Sequence, residues 1–326
     1  MLEQLANLFP PHIAATIKRQ SIDWLVSQRS HVELMAADCN VDSEQLQQAI
    51  EIAIESLEPR RPTDNSFVDV LIPFHAADAQ WVGDAVRSAL ASSYVLPIVH
   101  VVADGCEFPD DLPDNIRRYK TPGGWGPYRI QNGLVAGGNC EAEFLAILDA
   151  DDTMTPDRLW RHVALLRQFD ADMISSAVEN VPADDSETTR KHVSWQKIVR
   201  PAVRYETCPH GRCVNTSRTM RREFFELVNG FADLTCSADF DLDNRCRPWA
   251  RIIDDQQICG TRRVHHHSLS HGIAPMGSAP RQRDLDTVMR HLQAMQVSPT
   301  IETAASLGSL TQSQTLPVCE TGDRKG

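Results

Sequence analysis

The sequence predicts an α/β domain built on parallel strands, and three observations lead to that expectation. Residues 67–74 and 97–103 are short β-rich runs separated by a helical pattern in which Val82, Ala85, Val86, Ala89 and Leu90 share one face. A strand, helix and strand in that order imply parallel strands joined by a right-handed crossover. The apolar run from Phe144 to Leu148 reads as a buried strand that stops at three carboxylates, Asp149, Asp151 and Asp152. A helix at 156–169 with Pro156 in its first turn, then a strand at 172–178, continue the alternation. Ligands of open α/β sheets sit outside the carboxyl ends of the strands, which is where those acids stand.

Taken in order, residues 1–62 read as a helical N-terminal extension. Ile17, Ile22, Leu25 and Val26 recur at helical spacing, and an amphipathic run follows a cap at Asp42 or Ser43. Such an extension packs on the main domain or takes a partner helix. Residues 58–66 have linker composition, and the main domain spans 63–297. Its second β run ends in Asp104-Gly105, where glycine lets the backbone approach a ligand closely. The loop at 121–128 holds Gly123, Gly124 and Gly126, matches no phosphate-binding fingerprint, and reads as a connection before a short helix with Arg129, Asn132 and Leu134. Residues 182–204 are polar and without a readable pattern. A helical run from Ser217 through Val228 stops at Asn229-Gly230. Asp239 then begins another helix, with Asp243 one turn on, and the helix dipole favours acids in a first turn. A late strand at 256–264 leads into His265, a last helix covers 284–295, and 298–326 has the composition of a disordered tail.

Composition excludes several classes. The 326-residue chain carries a net charge of −12, which argues against binding nucleic acid through its phosphates. An anionic ligand needs a local device instead, such as a metal ion or a helix N-terminus. Nine cysteines, without a secretory signal at the start, favour reduced thiols and a cytoplasmic location. Cys208 and Cys213 could form half of a zinc site, but no second pair accompanies them. No run approaches the roughly 18 apolar residues of a membrane span, so any membrane contact is expected to be peripheral. The acidic turn itself has two readings: a solvated cap for the next helix, or a seat for a cation with a phosphate.

Several segments, in this order, resemble the family 2 glycosyltransferases of the GT-A fold. Val68 to Phe74 is similar to the family's opening strand, Val101 to Gly105 to its second strand with a nucleotide-contacting acid, and Gly126 to Asn132 to its Gly-Pro-x-x-x-Arg-Asn segment. Leu148 to Asp152 resembles the DxD element, Asn229 to Asp233 the Gly-Gly-Phe turn, and Asp239 to Arg245 the Glu-Asp-x-Asp-Leu-x-x-Arg motif. Arg263 to Ser270 is similar to Arg-x-His-x-x-Ser-x-Ser. The sequence departs from the family pattern at Ala103, Gln131 and Ala238, where Asp, Arg and Glu are usual.

The resemblance implies a GT-A, Rossmann-like, mostly parallel central sheet flanked by helices. It further implies transfer of a sugar from a nucleotide-diphosphate sugar, a UDP-sugar, to a hydroxyl of a saccharide, lipid-linked or small-molecule acceptor, by single displacement with inversion. Asp239 would be the general base. Pro73, Phe74, Asp104, Arg129, Asn132, Asp149 and Asp151 would contact the nucleotide, and Asp149, Asp151, Asp152 and His265 would hold Mn²⁺ or Mg²⁺. Two alternatives stand beside this: a sugar-nucleotide nucleotidyltransferase, although residues 73–78 lack the glycine and basic residue of its loop, and a binding module that keeps the fold without turnover.

Overall fold

The computed structural model describes residues 42–44, 47–48, 66–184, 214–265 and 277–310, with isolated positions within 186–199 and at 268 and 316. Most of the expected N-terminal extension, Cys208, Cys213 and the end of the tail therefore lie outside the described residues.

The strands are β1 (Ser66–Phe74), β2 (Val95–Asp104), β3 (Arg117–Thr121), β4 (Phe144–Ile147), β5 (Thr153–Met154), β6 (Met173–Pro182), β7 (Ile198–Val199), β8 (Arg218–Arg221) and β9 (Ile252–Val264). The helices are α1 (Val82–Leu90), α2 (Gly126–Ala136), α3 (Arg158–Gln168), α4 (Arg222–Leu227), α5 (Ala238–Cys246), α6 (Ala279–Val297) and α7 (Ile301–Ser306). One sheet runs β3-β2-β1-β4-β8-β6-β9-β5, with β7 on β6. Its long pairings, β1 with β2 and β6 with β9, are parallel, as are β1 with β4 and β2 with β3; the antiparallel pairings at β8, β5 and β7 span two or three residues each.

Both faces of the sheet are covered, which is why β1 reads as an almost unbroken apolar run. Val68, Val70 and Ile72 of β1 pack with Val99 and Val101 of β2 under α1 and α3. Leu71, Val102, Leu145 and Ile147 point the other way, against α2, α4 and α5. Each such aliphatic side chain contributes roughly 1.5–3 kcal/mol when fully buried, so the three layers hold together through the period-two alternation of a few strands.

Three elements differ from the sequence expectation. Residues 218–221, read as the start of a helix, form β8: Met220 pairs with Leu145 on one side and Met173 on the other, so tertiary pairing overrides a local helical spacing. The strand β3 was not legible because it is a charged sheet edge that buries only Tyr119 and Thr121. The polar stretch after residue 298 does not leave the fold at once. Thr300 caps α7 by accepting from the Thr303 N–H at 3.2 Å, and Leu310 donates its N–H to Asn229 O at 2.8 Å and packs in the core beside Leu316.

Candidate active site

The chain leaves β1 towards β2 and β3 on one side and returns to β4 on the other, so the sheet has its topological switch between β1 and β4. A cavity of about 620 Å³ opens there, at the carboxyl ends of the parallel strands. Pro73 and Phe74 come from β1, Asp104 from β2, and the acidic turn from the end of β4; the start of α2, the start of α5 and the end of β9 close the remaining walls.

The acidic turn rests on a buried cation. Arg158 of α3 is 1% exposed and donates to the carbonyl oxygens of Ile147, Thr216 and Arg218 at 2.8, 2.7 and 3.0 Å. Above it the Asp152 N–H donates to Asp149 O at 3.1 Å, and the Asp152 carboxylate accepts the Arg263 N–H at 2.8 Å. Burial raises the Asp149 carboxyl to about pH 7, with the negative charges of Asp151 and Asp239 adding to the effect. Burial, Asp151 and Asp149 likewise lift Asp152 well above the carboxylate range.

Asp151 turns to different partners. Its Oδ2 lies 2.7 Å from His265 Nε2, and potential ligand atoms of Asp78, Asp151 and His265 all lie within 4.8 Å of one another. His265 is 2% exposed, its ring packs at 4.5 Å on Trp81, and its Nδ1 has no hydrogen-bond partner among the described residues. Asp78 is raised to about 6, first by burial, and further by Asp151 against an opposing pull from His75. Two carboxylates and an imidazole brought this close together have the donor chemistry of a divalent-cation site.

Asp104 governs the glycine-rich loop. Its carboxylate accepts the N–H groups of Trp125 and Gly126 at 3.2 and 2.9 Å, and the Thr121 hydroxyl as well. The loop is thereby pinned over the cavity at the start of α2. The adjacent Gly105 has φ +69°, and a Cβ there would lie 2.7 Å from the Cα of Gly123. The close approach that this glycine permits is thus to another backbone. Across the cavity Asp239 stands in the first turn of α5, and its Oδ1 accepts the Tyr128 hydroxyl at 2.9 Å.

Residues 69–228 match the family described as glycosyl transferase family 2. Those residues form a family 2 glycosyltransferase domain. Comparison with curated protein sequences returns no match. Among solved structures, TarS 1-349 of S. aureus in complex with UDP-GlcNAc is similar at 14% identity, with a TM-score of 0.53 and coverage of 76% of this chain and 71% of that one. TarS 1-349 crystallised alone gives 13% identity, a TM-score of 0.48 and coverage of 76% and 70%. At that identity the first likeness speaks for the GT-A fold, and the family assignment sets the nucleotidyltransferase alternative aside.

In this glycosyltransferase the residues expected from sequence separate into groups. Pro73, Phe74, Asp104, Arg129, Asp149, Asp151, Asp152 and Asp239 all line the cavity. Asn132 does not: it is 1% exposed, and its amide bridges Phe231 N and O at 3.0 Å each and Ser309 Oγ at 3.1 Å, which locks α2 to the chain after α4. Arg129 is drawn into a two-pronged ion pair with Asp233. Asp152, expected on the cation, spends its carboxylate on the Arg263 backbone, while Asp78 stands with Asp151 and His265. Asp78 escaped the sequence reading because it sits where a helix was expected to start, and a helix-starting acid looks structural; the His75-to-Asp78 turn that aims it at the cavity exists only in the fold. Gln131, where the family has Arg, is fully buried, and neither end of its amide has a partner among the described residues.

Proposed function

We propose that this glycosyltransferase moves a sugar from a nucleotide-diphosphate sugar, a UDP-sugar, to an acceptor hydroxyl, with a divalent cation at Asp78, Asp151 and His265 and with inversion at the anomeric carbon. One observation carries the reading: a single cavity at the sheet's switch point is lined both by Asp78 and Asp151, the carboxylates that cluster with His265, and by a separately held carboxylate, Asp239. The shared fold with TarS, which was crystallised with UDP-GlcNAc, supports the choice of donor.

The residues divide the work. A cation bound here would neutralise charge that develops on the departing diphosphate. Oxygen and imidazole donors together suit Mn²⁺ better than Mg²⁺, which prefers an all-oxygen shell. Asp239, oriented by the Tyr128 hydroxyl, takes the proton of the acceptor hydroxyl as that oxygen attacks the anomeric carbon. A single base placed away from the cation cluster suits one displacement, hence inversion. Asp104 holds the glycine-rich loop as a wall of the nucleotide site. No helix among the described residues is long and apolar enough to cross a membrane. The unpaired thiols of Cys106, Cys140, Cys236, Cys246 and Cys259 suit the reducing cytoplasm.

The test is Asp239→Asn in a donor-hydrolysis and transfer assay. The variant should bind UDP with Mn²⁺ as the wild type does and lose about 10²- to 10⁴-fold in turnover, the usual contribution of a positioned base. Unchanged turnover would remove Asp239 from that role. Binding of UDP by a wild type that neither hydrolyses nor transfers any UDP-sugar would favour a binding module.

A further inference from the structure

The cavity is far richer in negative than in positive charge. Asp78, Asp104, Asp149, Asp151, Asp152 and Asp239 line it against Arg129, Arg262 and Arg263. A diphosphate entering such a site meets strong repulsion, and the cation cluster answers only part of it. The arginines are therefore the groups to examine. Arg129 is committed to Asp233. Arg263, the arginine of the family-like Arg-x-His segment, pairs with Asp84 at 2.8 Å and donates to Asp151 O at 3.3 Å. Arg262 forms no ion pair or side-chain hydrogen bond among the described residues, although its charge is near enough to act on both Asp149 and Asp152.

The strand end that carries Arg262 is also held in place. On one side the Arg263 N–H is bonded to Asp152, and on the other the hydroxyls of Thr261 and Thr153 meet at 2.7 Å, so the strand end that carries Arg262 is fastened to the acidic turn at both flanks. Gly260 permits this approach: a Cβ there would lie 2.4 Å from Thr153 O. A half-buried guanidinium that lines the cavity from a fastened strand end, beside carboxylates it does not pair with, is a donor set open to an anion from outside, and its planar fork matches a phosphate.

We propose that Arg262 binds the donor's diphosphate and stabilises the nucleoside diphosphate as it leaves. The inference rests on the donor site described above. As the acceptor oxygen bonds to the anomeric carbon, the bond from that carbon to the β-phosphate oxygen breaks and its electron pair stays on the oxygen. The acceptor's proton passes to Asp239, and Arg262 meets the charge gained by the phosphate.

Calorimetry on the full chain with Mn²⁺ separates the possibilities, with UDP and uridine as probes of wild type, Arg262→Gln, Arg262→Lys and Asp151→Ala. Removing charge-assisted hydrogen bonds should weaken UDP binding by about 10- to 100-fold in Arg262→Gln. Uridine binding should stay within twofold of wild type, as should Mn²⁺ binding without nucleotide; Arg262→Lys, which keeps the charge but not the fork, should lose less for UDP. Equal losses for UDP and uridine would mean a structural role and overturn the inference, and Arg262→Lys gives the same comparison if the glutamine variant fails to fold. UDP affinity within twofold of wild type in Arg262→Gln, with Asp151→Ala still losing it, would overturn the role of Arg262 alone. A wild type that binds no UDP in Mn²⁺ would overturn the donor site itself, and this inference with it.

Discussion

Arg245→Met should cost stability while sparing the nucleotide site. Arg245 is fully buried in α5, six residues after Asp239 in the motif that the family resemblance highlights. Its Nε is 2.7 Å from Asp241 Oδ2, and its other nitrogens donate to Val228 O, Ala304 O and Gly230 O at 3.1, 2.8 and 2.7 Å. One guanidinium thus ties α5 to the turn after α4 and to α7. Methionine has similar length but no donor, so it leaves the Val228 and Gly230 carbonyls without the partner they have here, leaves Ala304 O with only the Leu307 N–H at 3.3 Å, and leaves Asp241 with His291, at 2.7 Å, as its remaining side-chain partner. Breaking a buried pair from one side costs about 3–5 kcal/mol. At roughly 2–4 °C per kcal/mol for a domain of this size, the thermal midpoint should fall by roughly 6–20 °C. Circular dichroism melts measure it, and calorimetry well below the transition should find UDP affinity within a few-fold of wild type. Adding Asp241→Asn should recover part of the loss, because the stranded charge is then gone. A midpoint within about 2 °C of wild type together with lost UDP binding would refute the reasoning and move Arg245 into the site.

Two further predictions concern the cavity. Asp149 holds its proton to about pH 7, whereas in the unfolded chain it ionises near the ordinary carboxylate value of about 4, so the folded state binds more protons between those limits and stability falls as pH rises through them. In metal-free buffer, Asp149→Asn should melt above the wild type by a clearly larger margin at pH 8 than at pH 5, with the gap closing towards pH 4; an equal gap at all these pH values would show that ionisation of Asp149 is not its source. Gly105→Ala puts a methyl group 2.7 Å from Gly123 Cα at a φ of +69°. It should lose at least about 2 kcal/mol in urea denaturation from left-handed strain and the clash together, and weaken UDP binding by displacing the loop that Asp104 holds.

Much of the site was legible because it lies at strand ends. An apolar run that stops at carboxylates is a local pattern, and the α/β alternation around it already locates those carboxylates at the ligand-binding edge of a sheet. For the same reason Asp104, Asp149 and Asp151 could be named one by one, Asp239 came from the family resemblance, and all four line the cavity. The burial of Asn132 against Phe231 was not legible, because helical spacing does not say which face of α2 meets the chain after α4.

The sequence by itself determined the apolar strands β1, β2, β4 and β6, the order of the motifs and the acids they carry, since these depend on periodicity and on neighbours in the chain. Tertiary structure alone decided which charges are spent and which are free. Asp152 goes to a backbone N–H, Asp104 to a loop, Arg129 and Arg263 to acids, and Asp78 joins Asp151 and His265. Those pairings join residues as much as 187 positions apart, from Asp78 to His265, and the Coulomb and hydrogen-bond forces behind them act through space over a few ångströms. A pattern read along the chain carries no record of that distance.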